Sequence, residues 1–415
     1  MNIEELAPEI QRRVSGYWRG LPVDRFSRPE RKFIGEMLLG LLKEPGIYVT
    51  DVARSLGEEM KLKKTWERLN RNLRREGLWE RLLEVNLLQQ ARRVRQMRYC
   101  VIDVSDIQKS EATQIEGLSL VRDGDKSSRD NPVIGQGFHW LNAVMADKEG
   151  VLPVYSELYS MELEERSENW RIVEITKKVG VVHPEVIFVL DRGGDRSKLL
   201  DEFINELRHF IIRGAAQRSL GVRRGSSKLY NIQHIANGTK CSLIYKSSRG
   251  KTFYVGIRRV YYGEQPLSLV VSRRANGAVS WYLTNLEGSS EQVMETVMGG
   301  YGLRWRIEEY HRQIKQDYRL ESIRLRKYMA IKNMVTFVAL ASAFVCRLPE
   351  NLVVKLVYLA KRLNKNKLKD IPSYPYYMLT AAVSGCLAAA VKQRPIPLWL
   401  RRRDFWQYQL ALTPP

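Results

Sequence analysis

Two aspartates follow stretches of sequence that predict β-strands. Asp103 lies in the β-branched run RYCVIDVSDI, and Asp191 closes the apolar stretch EVIFVLD. Ligands often bind beyond the carboxyl ends of strands, and two carboxylates held close together there need a cation between them. Oxygen ligands favour Mg²⁺. Each aspartate taken alone is more simply a strand-end or turn residue, so a metal site requires a third carboxylate.

The segment YGLRWRIEEYHRQIK, residues 301–315, offers that carboxylate. If the segment is helical, one of its faces carries five polar side chains: Tyr301, Arg304, Glu308, Arg312 and Lys315. Glu309 falls to the side of this face, so we predict that Glu308 is the acid that meets the two aspartates. The alternative is a solvated lattice of ion pairs four residues apart on an exposed helix.

The net charge of the chain indicates what kind of partner it binds. The 415 residues include 68 Lys and Arg against 46 Asp and Glu, which gives a net charge of +22. Such an excess favours a polyanion as the partner. Residues 61–98 are especially basic, and within them we predict contacts to DNA phosphates by Lys63, Lys64, Arg68 and Arg71. A solvated basic helix face is the alternative explanation.

The elements that position these residues divide the chain into three predicted regions. Residues 1–96 have helical periodicity, and TDVARSLG followed by KKTWERLNRNLRREG is compatible with a helix-turn-helix. Residues 97–330 begin with the order β-β-β-α-β-α-β, which predicts an α/β fold with a mixed sheet covered by helices. Short strands with hairpin signals predict a β-rich insertion at about 238–285. One long helix is expected from about Ser290 to Lys315, and residues 331–415 are expected to be mainly helical.

Cysteine content and hydropathy exclude several classes of protein. The four cysteines form no CxxC pair, so the sequence predicts neither a disulfide framework nor a zinc knuckle. The longest apolar run, MVTFVALASAFVC, is shorter than the ~20 residues of a membrane span. We therefore expect a cytoplasmic protein without a membrane partner.

Residues 301–315 also resemble a known signature. Tyr301, Arg304, Glu308 and Lys315 match the Y-(2)-R-(3)-E-(6)-K pattern of the DDE transposases of the insertion sequence four family, which are bacterial cut-and-paste enzymes that form DNA hairpins. VIDVSD and VLDRGGDR resemble the strands that carry the first and second aspartates of that family. The chain departs from the family pattern in two places, at Arg312 in place of a second lysine and at the glycines 193–194 after the second aspartate.

The resemblance spans about 98–330 and implies a fold and a chemistry. It implies an RNase H-like catalytic core in which Asp103, Asp191 and Glu308 bind Mg²⁺, with Mn²⁺ able to substitute. Trp281 is similar in position to a tryptophan on which relatives stack a flipped base, although a core tryptophan is an equal alternative. Arg213 is implied as a contact to DNA phosphate.

The same resemblance implies the substrate and the reaction. The expected partner is double-stranded DNA, both the terminal inverted repeats of the element and the target, bound by a homodimer in the bacterial nucleoid. Two alternatives stay open, namely a structure-specific nuclease of the same fold that never joins strands, and a transposase-derived DNA-binding protein that has lost its chemistry.

Overall fold

A computed structural model of the chain describes residues 3–122, 124, 127, 131–248, 250–363 and 374–393. The first part consists of the helices α1 Ile3–Arg19, α2 Arg28–Lys43, α3 Val49–Ser55, α4 Leu62–Leu73 and α5 Leu78–Val94. Their ends follow local chemistry. Ser27 and Glu30 form a capping box at the start of α2, and Gly57 and Gly77, both with positive φ, separate α3, α4 and α5. The predicted helical character of this region is confirmed.

A mixed sheet follows. Its first strands are β1 Tyr99–Gln108, β2 Ser119–Arg122, β3 Ile134–Ala146, β4 Val151–Tyr159, β5 Ile187–Leu190 and β6 His209–Arg213, with helices α6 Glu168–Val182 and α7 Ser197–Asn205 between the later strands. The central order is β4-β3-β1-β5-β6. β3 is antiparallel to β1 and β4, whereas β5 and β6 run parallel to β1 and to each other. The α/β class with an RNase H-like mixed sheet is therefore confirmed.

One strand was missing from the predicted order. This strand is β2, which pairs with the beginning of β3 from Ser119↔Gly137 to Arg122↔Ile134. The alternation of buried and exposed residues in β2 extends over only four residues. That is too short for periodicity to distinguish a strand from a turn.

The remaining strands extend the same sheet. They are β7 Ser219–Gly221, β8 Leu229–Asn231, β9 Leu243–Lys246, β10 Thr252–Tyr262, β11 Gln265–Arg273 and β12 Val279–Thr284, and α8 Ile232–Asn237 lies among them. β12 pairs with β6, and the order continues β12-β11-β10-β7-β8. The additional β structure thus begins near Ser219, earlier than the predicted bound of 238, and it is continuous with the central sheet.

Five more helices complete the described chain: α9 Ser290–Gly302, α10 Trp305–Tyr318, α11 Tyr328–Cys346, α12 Glu350–Leu363 and α13 Tyr376–Gln393. The prediction of one continuous helix from Ser290 to Lys315 is wrong, because the chain leaves α9 at Gly302 and starts α10 at Trp305. Three glycines in the sequence MGGYG explain the break, since glycine disfavours a helix interior. The part of the predicted C-terminal region beyond residue 393, including the basic LRRRDFW, lies outside the described residues.

Two hydrophobic cores cover the two faces of the sheet. One core joins α1 and α2 to α10, α11 and α13 over one face, and the other packs α6, α7 and α8 against the opposite face. α11 is long and apolar enough to cross a membrane by length and composition, but its most apolar window is 89% buried inside the protein. It therefore has the surroundings of a core helix.

A buried ion network connects α11 to this sheet. Glu157 of β4, Arg171 of α6 and Lys332 of α11 are each at most 2% exposed. Arg171 forms a salt bridge with Glu157, and the Lys332 ammonium lies 3.2 Å from the Glu157 carboxylate and 2.7 Å from that of Glu164. Lys332 also lies 3.9 Å from the centre of the Trp79 ring in α5. The network therefore joins four elements. Each of its buried charges would be costly without its partner, because an unpaired buried charge is strongly destabilising.

Replacing Glu157 by Gln is expected to lower the free energy of unfolding by about 3–5 kcal/mol, because Arg171 and Lys332 each lose one of the two carboxylates that they share. Urea denaturation measures the change. Glu9→Gln is the matched control, since Glu9 pairs with Arg13 on the surface of α1 and such pairs contribute at most about 1 kcal/mol. Equal stability of the two variants would contradict a structural role for the network.

Candidate active site

The strand register places the first two aspartates side by side. β1 pairs in parallel with β5 from Tyr99↔Ile187 to Val101↔Val189, so Asp103 and Asp191 each follow the last pair by two residues. Asp103 was predicted at a strand end, but it lies in the middle of β1, which continues to Gln108 beyond the end of β5. The aspartates therefore meet at the carboxyl edge of β5, where β1 has no partner on that side.

A tight turn fixes the carboxylate of Asp191. Asp191 caps the 3₁₀ turn Arg192–Gly194, and its Oδ1 accepts a hydrogen bond of 2.7 Å from the backbone N–H of Gly193. A Cβ atom at position 193 would lie 2.9 Å from the same oxygen. Gly193 departs from the family pattern. Because it has no Cβ atom, its backbone N–H can approach the Asp191 carboxylate closely.

Glu308 reaches the site from α10. Arg304, at the start of α10, forms a salt bridge with Glu308, and its guanidinium lies 3.9 Å from Oδ2 of Asp103. Since the helix breaks before Trp305, Tyr301 is not on the same helix as Glu308, and the single helical face predicted for all five side chains is wrong. Arg304 and Glu308, which are four residues apart in the sequence, are nevertheless in contact.

Asp191, Glu308 and Arg304 all lie close enough to Asp103 to shift its pKa. The pKa of Asp103 is raised to about 7, first by burial and then by the neighbouring charges of Asp191 and Glu308, against the lowering effect of Arg304. Two like charges near a buried carboxyl disfavour its ionised form. Arg304 supplies the positive charge that partly offsets this repulsion, and the pKa of its own guanidinium is raised by Tyr301 and by the acids, against the effect of burial.

The donor chemistry of this site fits a divalent cation. The side chains are carboxylates, which provide the oxygen ligands that Mg²⁺ and Mn²⁺ prefer. In the described part of the chain, no group of three acidic, histidine or cysteine side chains lies close enough to hold an ion as it stands. Arg304 lies between Asp103 and Glu308, so the guanidinium takes the place where a bound cation would balance the charge.

Tyr301 and Arg213 border the acids on the side of the inserted strands. The Tyr301 ring packs 4.5 Å from the ring of Tyr282, centroid to centroid. Burial raises the pKa of Tyr301, while Arg304 and Arg213, which is also a hydrogen-bond partner of its side chain, lower it. Arg213 ends β6, next to Tyr282 in the β6–β12 ladder. The structure therefore brings together six predicted residues: Asp103, Asp191, Glu308, Arg304, Tyr301 and Arg213.

Lys315 belongs to a second cluster of charges, farther along β1 and α10. Its ammonium lies 3.6 Å from Asp106 and 3.6 Å from Glu321. Asp106 is not among the predicted site residues, although it is the second acid of VIDVSD. Lys109 joins the cluster by donating hydrogen bonds to the carbonyl oxygens of Glu321 and Ile323.

Two other predicted residues have partners of their own outside the three acids. The Arg312 side chain is 66% exposed and pairs with Glu309. Trp281 in β12 is partly buried against the second core, and its indole N–H donates a 2.8 Å hydrogen bond to the carbonyl oxygen of Gly214. This tryptophan is therefore held in a fixed orientation by the fold.

The basic residues of α4 separate into two groups. Lys63, Lys64 and Arg71 are exposed. The Arg68 guanidinium pairs with Glu36 of α2 and lies 2.7 Å from Glu58, so it is already engaged within the protein, and its contact to DNA stays a prediction. Glu36 is 2% exposed, so it needs this cation.

His311, which is not among the predicted site residues, packs α10 against the sheet. Its ring packs 5.1 Å from Trp140 of β3, and its Nε2 lies 3.2 Å from Nδ2 of Asn142. With the amide as donor, Nε2 is the unprotonated nitrogen. Burial, and then the charges of Lys315 and Arg304, lower the pKa of His311 to about 3. The contact therefore requires a neutral imidazole.

Comparison with known proteins identifies the family. The sequence profile described as Transposase DDE domain matches residues 118–344, more than half of the chain, and the chain belongs to this family. The match includes Asp191 and Glu308 and begins after Asp103. DDE transposases generally use divalent metal ions. No curated protein matches the chain.

Among solved structures, the chain is similar to a piggyBac transposase in a synaptic complex with hairpin DNA, determined by electron cryomicroscopy. The TM-score is 0.40 at 9% identity, and the alignment covers 94% of this chain and 77% of the other.

The neutral state of His311 predicts a pH dependence of stability. Between about pH 6.5 and pH 3 the unfolded chain binds a proton at this histidine and the folded chain does not, so the histidine lowers stability as the pH falls, by up to about 1.4 kcal/mol per pH unit. His311→Gln should remove this component. Urea denaturation of both proteins at pH 6.5, 5.5 and 4.5 measures it. Parallel pH profiles would contradict a buried neutral histidine.

Proposed function

We propose that the chain is a transposase of the insertion sequence four family that cuts the ends of its own element through a hairpin intermediate and joins them to target DNA. The observation that carries the proposal is the arrangement at the carboxyl edge of β5, where Asp191 and Glu308 lie near Asp103, and where Arg304 pairs with Glu308 and lies 3.9 Å from Asp103. The Y-R-E-K spacing and the membership of the DDE family support it.

The three carboxylates would hold the metal ions of the reaction. When bound, Mg²⁺ supplies activation of the attacking water or 3′-hydroxyl and stabilisation of the leaving oxygen, in the manner of two-metal phosphoryl transfer. In the structure, the Arg304 guanidinium partly offsets the negative charge of the carboxylates. With a metal bound there, the guanidinium would be free to leave the carboxylates and bind a DNA phosphate. A guanidinium is suited to this exchange because it binds carboxylates and phosphates with the same fork of N–H donors.

The residues around the acids would position the DNA. Tyr301 and Arg213 together present a hydroxyl and a guanidinium beside the acids, and Lys315 adds an ammonium near the end of β1. The indole of Trp281, fixed by Gly214, offers a flat surface for a base displaced during hairpin formation.

The helix α4 would contact the duplex outside the active site. Its packing with α2 and α3 leaves Lys63, Lys64 and Arg71 exposed, as phosphate contacts require. Cutting two ends of one element in a coordinated way implies a homodimer on DNA, with the terminal inverted repeats and the target as substrates. The cytoplasm of a bacterium, at the nucleoid, is the compartment where this reaction occurs.

Two alternatives give different products. A nuclease of the same fold would cut and never join strands, and a protein without chemistry would bind DNA and leave it intact. Incubation with DNA that spans the chain's own gene, in Mg²⁺, distinguishes them, because hairpin-ended fragments and joined products are expected only from the transposase.

Asp103→Asn, Asp191→Asn and Glu308→Gln should each abolish cleavage of this DNA, because each removes a metal-binding carboxylate, while DNA binding stays within a few-fold of the unaltered chain. Gel analysis of end-labelled DNA measures cleavage, and anisotropy measures binding. Glu309→Gln is the matched control, since Glu309 pairs with Arg312 on the outer side of α10, and it should remain active. Substantial cleavage by one of the three variants would remove that residue from the site.

Replacing Lys63, Lys64 and Arg71 together by Ala should weaken DNA binding and reduce the slope of log K against log salt by about 0.9 for each phosphate contact that is lost. Titrations of a labelled duplex at several salt concentrations provide the slope. Arg12→Ala, which removes an exposed arginine of α1, should leave the slope unchanged. An unchanged slope in the triple variant would mean that this face of α4 is only solvated.

A further inference from the structure

A groove of about 530 Å³ lies between the helices α3 and α4 and the segment 324–327 that precedes α11. None of the residues assigned above to metal or DNA lines it. Its walls come from three parts of the chain, and the side chains that matter are Tyr48, Trp66, Asn70, Arg74, Arg324 and Arg326.

Unbalanced positive charge surrounds the groove. Arg74, Arg324 and Arg326 are exposed, and no carboxylate of the described chain forms a salt bridge with them. The acid in the lining, Asp51, already pairs with Arg54 at 2.8 Å. The groove thus has three available cations, and the charge of its acid is already neutralised. This excess of positive charge favours an anionic ligand.

The groove also offers aromatic surface and an amide. Trp66 is 38% exposed although it is a large aromatic residue, and Asn70 and Arg74 follow it at intervals of four residues, on the same side of α4. On the opposite wall, the Arg324 guanidinium lies 5.2 Å from the centre of the Tyr48 ring. Flat rings, a hydrogen-bonding amide and guanidinium groups are the combination with which proteins bind unpaired nucleotides.

The wall of this groove is tied to the active site. Lys109, which follows β1, donates hydrogen bonds of 2.9 Å to the carbonyl oxygens of Glu321 and Ile323, and the Glu321 side chain lies 3.6 Å from Lys315 of α10. Strand β1 also carries Asp103, and helix α10 carries Glu308, two of the three acids proposed to bind metal. A ligand in the groove is therefore held at a fixed position relative to the site of cleavage.

We propose that this groove binds an unpaired nucleotide of a DNA strand, with the base against Trp66 and the adjoining phosphates on Arg74 and Arg324. The inference deepens the proposed function, on which it rests for the identity of the nucleic acid as DNA. A base inside a duplex is covered on both faces by its neighbours, so the rings of the groove select unpaired nucleotides.

The test is a titration of the full chain against a labelled single-stranded DNA of about ten nucleotides, with EDTA present so that no cleavage occurs. Trp66→Ala should weaken binding about 5- to 100-fold, as expected for the loss of base stacking. Trp66→Phe keeps a flat ring and should retain most of the affinity, which also shows that the effect is not misfolding. Arg324→Ala should reduce the salt dependence by about 0.7 in slope, whereas Arg12→Ala should not.

Two further titrations complete the experiment. A blunt duplex of the same length should lose less than about threefold in affinity on Trp66→Ala, and an acidic peptide should not bind in competition with the single strand. Unchanged single-strand binding by Trp66→Ala, an equal loss for the duplex, or displacement by the peptide would each overturn the proposal. These outcomes are independent of cleavage, so the groove proposal can fail while the transposase proposal stands, and the reverse.

Discussion

Repulsion among three carboxylates is the constraint on which the site depends. Asp103 lies beside Asp191 at an edge of the sheet and faces Glu308 from α10, and the raised pKa of Asp103 reflects its burial and these two neighbours. Like charges remain together in such surroundings only if a cation balances them. In the structure that cation is the Arg304 guanidinium.

The surrounding architecture holds these charges in place. β1 extends beyond the end of β5, so Asp103 has no neighbouring strand on that side. Because residue 193 is a glycine, its backbone N–H can approach the Asp191 carboxylate closely. His311 packs α10 against β3 as a neutral ring. α11 packs next to α10, and the buried ion pair between Lys332 of α11 and Glu157 of β4 connects α11 to the sheet. Buried charges of this kind specify one arrangement of elements because each alternative leaves a charge unpaired. α10, which packs on β1, and α11, which packs on β4, are therefore held on the sheet that carries the two aspartates.

Much of this arrangement could be predicted from the sequence, because residue types and local spacing carry it. The strands around Asp103 and Asp191 and the four-residue interval from Arg304 to Glu308 are local features. The helix break after Gly302 was missed because the periodicity of 301–315 continues across it, although the glycines were a signal. The partners of Arg68, the docking of His311 on Asn142 and the groove at Trp66 could not be predicted, since each joins residues that are far apart in the chain. The roles assigned to the three acids stay a prediction.

The most direct test of the account is the position of a bound metal. Crystals of the full chain grown with Mn²⁺ allow the ion to be located by its anomalous scattering. The account predicts at least one peak among the carboxylates of Asp103, Asp191 and Glu308, with the Arg304 guanidinium moved away from Asp103, and no such peak in crystals of Asp103→Asn. A site of full occupancy elsewhere, or Arg304 still in contact with Asp103 and Glu308 at saturating Mn²⁺, would contradict it.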